Sequence, residues 1–136
     1  MQKIEHIGIA VADIDQAEQL YEKLLGVPSY KREVVETEGV ITSFFRQGPN
    51  KIELVAPLIA GEGPIAKYLD KRGPGIHHIA YAVVDIVAEM QRLASEGCQL
   101  LSEHPKPGAD NKLVCFVHPK SAGGVLMELC QERPPQ

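Results

Sequence analysis

The segment HIGIAVADI at residues 6–14 recurs as HIAYAVVDI at residues 78–86, and this repeat is the main indication of the fold. Six of the nine positions are identical, with His6 aligned on His78. Each copy is strand-like and is followed by a helix-like stretch that ends at a glycine. These helical stretches are residues 15–25 and 87–96. An internal repeat of this kind predicts two similar structural modules.

A second pair of similar segments closes each copy. IELVAP at residues 52–57 aligns with MELCQE at residues 127–132. Two middle strands are predicted in each copy, over residues 30–35 and 40–46 in the first and over residues 99–101 and 113–118 in the second, with a hairpin turn at residues 108–111. Each half therefore has the order βαβββ.

The domain organisation follows from the size of the two halves. A module of roughly 60 residues buries too little surface to be securely stable alone. Two copies can bury their sheets against each other or close into one curved sheet. We predict a single domain over residues 1–136, of the α+β class, with module 1 at about 3–58, a linker helix within about 60–73 and module 2 at about 75–132.

Composition excludes several classes of protein. The 136 residues are 44% hydrophobic and 24% charged, which is typical of a globular domain. The formal net charge of −4 argues against a nucleic-acid partner, and the sequence lacks the roughly 20 apolar residues that span a bilayer. Three widely spaced cysteines and the absence of an apolar leader predict a reducing, cytoplasmic location.

Four side chains at equivalent positions of the repeat form the candidate site: His6, Glu53, His78 and Glu128. A single strand histidine is more often a hydrogen-bonded core residue, and a single strand glutamate usually faces solvent. A carboxylate inside an apolar strand is costly unless it is paired or bound to a metal. Their joint recurrence favours a mixed nitrogen and oxygen site for a divalent metal such as Co, Ni, Mn, Fe or Zn. His77 points to the opposite face and is not chosen as a ligand.

The paired modules with His, Glu, His and Glu resemble the vicinal oxygen chelate superfamily, which includes glyoxalase I. The resemblance is strongest to its methylmalonyl-CoA epimerase family, and it runs from about residue 4 to residue 131. The segments that carry it are residues 6–11, 52–58, 64–69, 75–80, 118–121 and 124–129. The double histidine at 77–78 and the ending HPKS…GVLMEL are the more specific segments. The fold implied is a curved, half-barrel mixed sheet, the glyoxalase-like fold.

The resemblance implies an isomerase that epimerises methylmalonyl-CoA at C2 by removing and returning a proton through a metal-stabilised enolate. The implied metal ligands are His6, Glu53, His78 and Glu128, with Co, Mn, Ni or Zn as the divalent ion. Some relatives place a glutamate base where this chain has Thr42, and Thr is a poor base. We therefore expect Glu128 and Glu53 to be the two acid/base groups.

The resemblance also implies an acyl-CoA substrate and a homodimer. Lys120 and Gly108 are expected to contact the CoA side of the substrate. Two other functions remain open at this point. One is a glyoxalase I-type lyase acting on a thiol hemithioacetal, such as a lactoylglutathione lyase, and the other is a metal-free ligand-binding protein on the same scaffold.

Overall fold

The structure is a computed structural model that describes residues 1–134, so the last two residues of the predicted domain lie outside the described residues. The described chain has three α-helices, eight strands and two single 3-10 turns. Their order is β1 (Lys3–Ala10), α1 (Ile14–Leu25), β2 (Lys31–Val35), β3 (Val40–Gln47), β4 (Asn50–Pro57), α2 (Gly63–Arg72), β5 (Gly75–Ala82), α3 (Ile86–Ser95), β6 (Lys106–Gly108), β7 (Lys112–Val117) and β8 (Met127–Glu132). The 3-10 turns are Glu36–Glu38 and Pro119–Ser121.

The chain divides into two compact units, and the division falls within β1 and β5. One unit is Ile7–His77, and the other combines Met1–His6 with the chain from His78 onward. We call them the 7–77 unit and the 78–134 unit, and the second name also covers residues 1–6. The first strand of the repeat thus contributes its N-terminal half to the unit that holds the second copy.

In the 7–77 unit the strand order is β2-β3-β4, with the C-terminal half of β1 beside β4. The pairs β2–β3 and β3–β4 are antiparallel, and their register sets Phe44 opposite Glu53. Helix α1 begins after Asp13, whose side chain accepts two backbone N–H groups, and ends at Gly26 with a φ of 73°. It packs on a core of Val11, Ile14, Ala17, Phe45, Leu54 and Ala56.

Helix α2 covers one end of the same unit. Pro64 lies in its first turn, and the N–H of Gly73 closes it on the carbonyl of Leu69, as the sequence predicts. Ile65 of α2 is buried against Val40 and Val55 of the sheet.

In the 78–134 unit the strand order is β1, β5, β8, β7 and β6, with the N-terminal half of β1 at one edge. Strand β5 runs parallel to β8, while β7 is antiparallel to both of its neighbours. The register sets Phe116 opposite Glu128, as Phe44 is opposite Glu53 in the other unit. Helix α3 packs on a core of Val83, Ile86, Met90, Cys115 and Leu129.

One predicted strand is wrong. Residues 99–101 do not form a strand, although Leu100 makes an isolated bridge to Val117. The partner of β7 is β6, which is joined to it by a tight turn in which Asp110 and Asn111 have φ values of 59° and 55°. Asp and Asn tolerate this left-handed conformation, and Pro107 is compatible with a strand at the sheet edge.

The element order and the strand pairing confirm an α+β fold of two βαβββ modules. Within residues 1–134, none of the helices has the length and apolar character required to cross a bilayer. The prediction that the chain forms one domain stays a prediction.

The hydrogen bonds of Glu18 in α1 predict a contribution to the free energy of unfolding that depends on pH. Its carboxylate accepts hydrogen bonds from Arg32 Nε and Ser43 Oγ, each at 2.7 Å. The Arg32 hydrogen bond opposes the effect of burial and, with Ser43, holds the pKa of Glu18 below its ordinary value.

We expect Glu18→Gln to lower the free energy of unfolding by about 1 kcal/mol at pH 7. Because the folded pKa is depressed, this stability is present above the ordinary pKa and is lost as pH falls through the folded value. Urea unfolding between pH 3 and pH 7 measures the difference, with Asp15→Asn as the control, since Asp15 is exposed and contacts the same Arg32. A difference that grows toward acid pH would contradict this account.

Candidate metal centre

Two imidazoles of the 78–134 unit meet at a buried point. His6 lies on β1 and His78 lies on β5, and each side chain is 5% exposed. Their Nε2 atoms are 3.1 Å apart, and the rings are nearly perpendicular. The strand pairing, rather than sequence proximity, brings together two residues that are 72 positions apart.

Glu128 of β8 completes a group of three ligand atoms. Its Oε1 lies 3.0 Å from His6 Nε2 and 3.5 Å from His78 Nε2. This oxygen is buried, and within residues 1–134 it has no partner in hydrogen-bonding geometry. A buried carboxylate oxygen without such a partner needs another source of stabilisation.

The spacing of the three atoms fits a divalent metal. Metal–ligand bonds of about 2.1 Å place neighbouring ligand atoms roughly 3.0–3.4 Å apart, depending on the coordination angle. The observed separations of 3.0, 3.1 and 3.5 Å lie close to that range. Two imidazoles and a carboxylate are also ligands that first-row divalent metals accept. The residues therefore fit the metal that the sequence pattern predicts.

Electrostatics keep Glu128 ready to act as an anion. Its burial acts to raise the pKa of its carboxyl group. The hydrogen bond from the His6 side chain and the electrostatic effect of the two neighbouring imidazoles outweigh burial, and the pKa lies below its ordinary value.

Glu5 is a residue beside the candidate site that the sequence analysis missed. Its Oε1 lies 2.9 Å from His6 Nδ1, and both side chains are buried. A carboxylate at Nδ1 places the ring proton there, which leaves the Nε2 lone pair facing His78 and Glu128. Strand alternation predicts that Glu5 and His6 lie on opposite faces, so their contact could not be expected from the sequence. The signal available was the acidic residue Glu5 inside the otherwise largely apolar β1 pattern.

We expect Glu5→Gln to weaken divalent-metal affinity by about 10- to 100-fold while the fold is kept. The amide is a weaker acceptor and orients the His6 ring less firmly. Competition with a metal chelator measures the affinity, and the exposed Glu103→Gln is the matched control. Unchanged affinity in Glu5→Gln would show that Glu5 does not orient the ligand.

Glu53 occupies the corresponding place in the 7–77 unit. It lies on β4, is 6% exposed, and faces Phe44 across the β3–β4 pair, as Glu128 faces Phe116. Thr42 shares that face, and its hydroxyl donates to the carbonyl of Glu33 at 3.2 Å. The Thr42 hydroxyl is therefore already hydrogen-bonded to the backbone of the neighbouring strand.

Cys130 is a second residue that the sequence analysis did not connect to the site. It is buried on β8, and its Sγ lies within 4.8 Å of a ligand atom of both His6 and Glu128. The signal was its spacing, since two residues along a strand return to the same face.

The remaining candidates from the sequence each have local contacts of their own. The His77 ring packs edge-on against Tyr68 in the 7–77 unit, with ring centroids 4.8 Å apart. Lys120 is exposed on a 3-10 turn, where its N–H donates to His118 Nδ1. Gly108 pairs with Lys112, and a Cβ added to Gly108 would lie 2.9 Å from a Val114 methyl group.

Comparison with known proteins agrees with this geometry. Residues 5–116 match the family described as Glyoxalase/Bleomycin resistance protein/Dioxygenase superfamily. The ethylmalonyl-CoA/methylmalonyl-CoA epimerase of Cereibacter sphaeroides is 42% identical, with 95% of this chain and 97% of that protein covered.

Two solved structures extend the comparison. The methylmalonyl-CoA epimerase of Mycobacterium tuberculosis is 40% identical with a TM-score of 0.91, over 97% of this chain and 89% of that chain. A methylmalonyl-CoA epimerase in complex with methylmalonyl-CoA and NH4+ is 30% identical with a TM-score of 0.91, over 97% of this chain and 95% of that chain. The chain belongs to the glyoxalase/bleomycin resistance protein/dioxygenase superfamily and, within it, to the methylmalonyl-CoA epimerase family.

Proposed function

We propose that this chain is a metal-dependent isomerase that epimerises methylmalonyl-CoA at C2. The observation that carries the proposal is the buried group of His6, His78 and Glu128 in a chain that is similar to named epimerases over nearly its whole length. The reaction removes a proton from a carbon between a thioester and a carboxylate, then returns it to the other face.

The chain's own residues supply the metal ligands. His6, His78 and Glu128 would hold a divalent ion such as Co, Mn, Ni or Zn, and we propose Glu53 as the fourth ligand. Its support is its burial and its register opposite Phe44, which repeats that of Glu128 opposite Phe116. When bound, the ion would act as a Lewis acid for the negative charge that develops on the substrate oxygens.

Proton transfer needs an acid/base group for each face of the carbon. We assign Glu128 to one face and Glu53 to the other, because both are buried glutamates at equivalent positions of the repeat. The hydrogen bond from Thr42 to the Glu33 carbonyl supports leaving Thr42 out of this role. In one direction Glu128, as a carboxylate, would take the proton from one epimer while Glu53, as a carboxylic acid, gives a proton to the opposite face of the carbon. The reverse reaction would exchange the two roles.

We propose that Lys120 and Gly108 contact the CoA side of the substrate and that the chain acts as a cytoplasmic homodimer. The exposed Lys120 side chain and the three free thiols are compatible with these roles. Exposed apolar side chains on and beyond α1, at Leu20, Leu24 and Val27, offer a surface for a second copy.

One experiment tests the function directly. The metal-loaded protein is incubated with methylmalonyl-CoA in deuterated water, and the C2 proton is followed by NMR. We expect its signal to disappear as both epimers form. Thioester formation from methylglyoxal and a thiol, without C2 exchange, would instead indicate a glyoxalase I-type lyase. If the purified protein contains no metal and the C2 proton does not exchange, the chain is a ligand-binding protein.

A further inference from the structure

A buried thiol lies beside one of the two glutamates assigned to proton transfer. Cys130 follows Glu128 by two residues on β8, so their side chains are on the same face of the sheet. Cys130 is 2% exposed, and its Sγ lies within 4.8 Å of a ligand atom of Glu128. The thiol and the carboxylate are therefore buried neighbours within the 78–134 unit.

The side chains directly opposite Glu128 cannot donate a hydrogen bond to its carboxylate. Strand pairing sets Phe116 of β7 on one side of Glu128 and Ala80 of β5 on the other, and both side chains are hydrocarbon. Cys130 packs with Ala80 and Val114, and it brings an S–H group into these apolar surroundings. Among these neighbours on the sheet, Cys130 is the residue whose side chain can donate to Glu128.

The electrostatics of Glu128 agree with a thiol that donates. Burial acts to raise the pKa of Glu128, whereas the hydrogen bond from His6 and the electrostatic effect of the two imidazoles lower it, and a hydrogen bond from Cys130 lowers it further. A donor that lowers the pKa of a carboxyl group stabilises its anion. A carboxylate has about four lone-pair sites, so it can accept from a thiol while another site faces the imidazoles.

The other copy of the repeat carries a different residue at this position. Val55 follows Glu53 by two residues, is 5% exposed and packs with Ile65. Valine fills the apolar layer but has no hydrogen to donate. The thiol therefore distinguishes two glutamates that the repeat places at equivalent positions.

We propose that Cys130 is a positioning residue, whose S–H group donates to the Glu128 carboxylate and holds it toward the imidazoles of His6 and His78. The part that concerns proton transfer rests on the proposed function, whereas the hydrogen bond and its effect on metal binding do not. Without the thiol, the terminal bond of the Glu128 side chain loses one restraint on its rotation. Glu128 then becomes a less well oriented ligand and base, while Glu53 is unaffected.

Infrared spectroscopy of the metal-loaded protein tests the hydrogen bond itself. The S–H stretching band lies where other protein groups absorb little, and it moves to lower wavenumber when the thiol donates. Subtracting the spectrum of Cys130→Ala from that of wild type isolates the band of Cys130. We expect this band to move to higher wavenumber in Glu128→Gln, because an amide oxygen is a weaker acceptor than a carboxylate.

Metal affinity and proton exchange test the consequence of the hydrogen bond. We expect Cys130→Ala to weaken Co²⁺ binding by about tenfold in competition with a chelator, and Cys130→Ser, which keeps a donor, to retain most of the affinity. At saturating Co²⁺, the C2 proton of the epimer assigned to Glu128 should exchange about tenfold more slowly in Cys130→Ala, and that of the other epimer at the wild-type rate.

The matched control is Cys115→Ala, which removes a buried thiol from the core beneath α3 and should leave affinity and exchange unchanged. Cys130→Val, with the residue of the other copy, is the second variant if the alanine form does not fold. A Cys130 band that is absent, or that does not move in Glu128→Gln, would overturn the inference, as would wild-type Co²⁺ affinity in a folded Cys130→Ala or Cys130→Val variant. Absent C2 exchange in wild type would overturn the proposed function alone, because the infrared band and the affinity still judge Cys130.

Discussion

Glu128→Gln is expected to lower the epimerisation rate by about 100- to 10,000-fold while the protein stays folded and keeps its metal. The amide preserves the shape of the side chain and an oxygen that can act as a ligand, but it cannot accept the C2 proton. Because Glu128 also lies beside the candidate ligands His6 and His78, metal content has to be measured to separate loss of proton transfer from loss of metal. Turnover, metal content and circular dichroism are measured on the same preparation.

The matched control is Glu132→Gln. It lies on the same strand and the same face as Glu128, four residues further on, but it is exposed. Its turnover should equal that of wild type. Near wild-type turnover in a metal-loaded Glu128→Gln variant would remove Glu128 from proton transfer.

Glu53→Gln is expected to lower epimerisation over a similar range, because inversion needs both acid/base groups. The two variants should differ in which epimer they still deprotonate. Each epimer is incubated separately in deuterated water, and loss of its C2 proton is followed by NMR before any inversion occurs. If Glu128 and Glu53 act on opposite faces, each variant retains exchange for one epimer and loses it for the other.

Two other patterns would count against this pairing. Loss of exchange for both epimers in Glu53→Gln, together with loss of metal, would restrict Glu53 to a ligand role. Unchanged exchange and inversion would show that Glu53 takes no part in the reaction.

The sequence predicted the helices well because their signals are local. Gly26 follows α1 as predicted, and Pro64 and Gly73 lie at the two ends of α2, whereas the cap at Asp13, which starts α1 at Ile14 instead of residue 15, was not predicted. The prediction of a strand at residues 99–101 is wrong, because the strand that pairs with β7 across the turn at Asp110 and Asn111 is Lys106–Gly108.

By itself, the sequence determined the repeat, the α+β class and the four glutamates and histidines at equivalent strand positions. A period of two along a strand and a recurrence along the chain are properties of the sequence alone. The contacts between atoms follow from the three-dimensional structure: His6 meets His78 and Glu128, and Glu5 meets His6. The reason is physical, because these contacts depend on strand pairing and side-chain conformation across long stretches of chain, and neither leaves a local pattern.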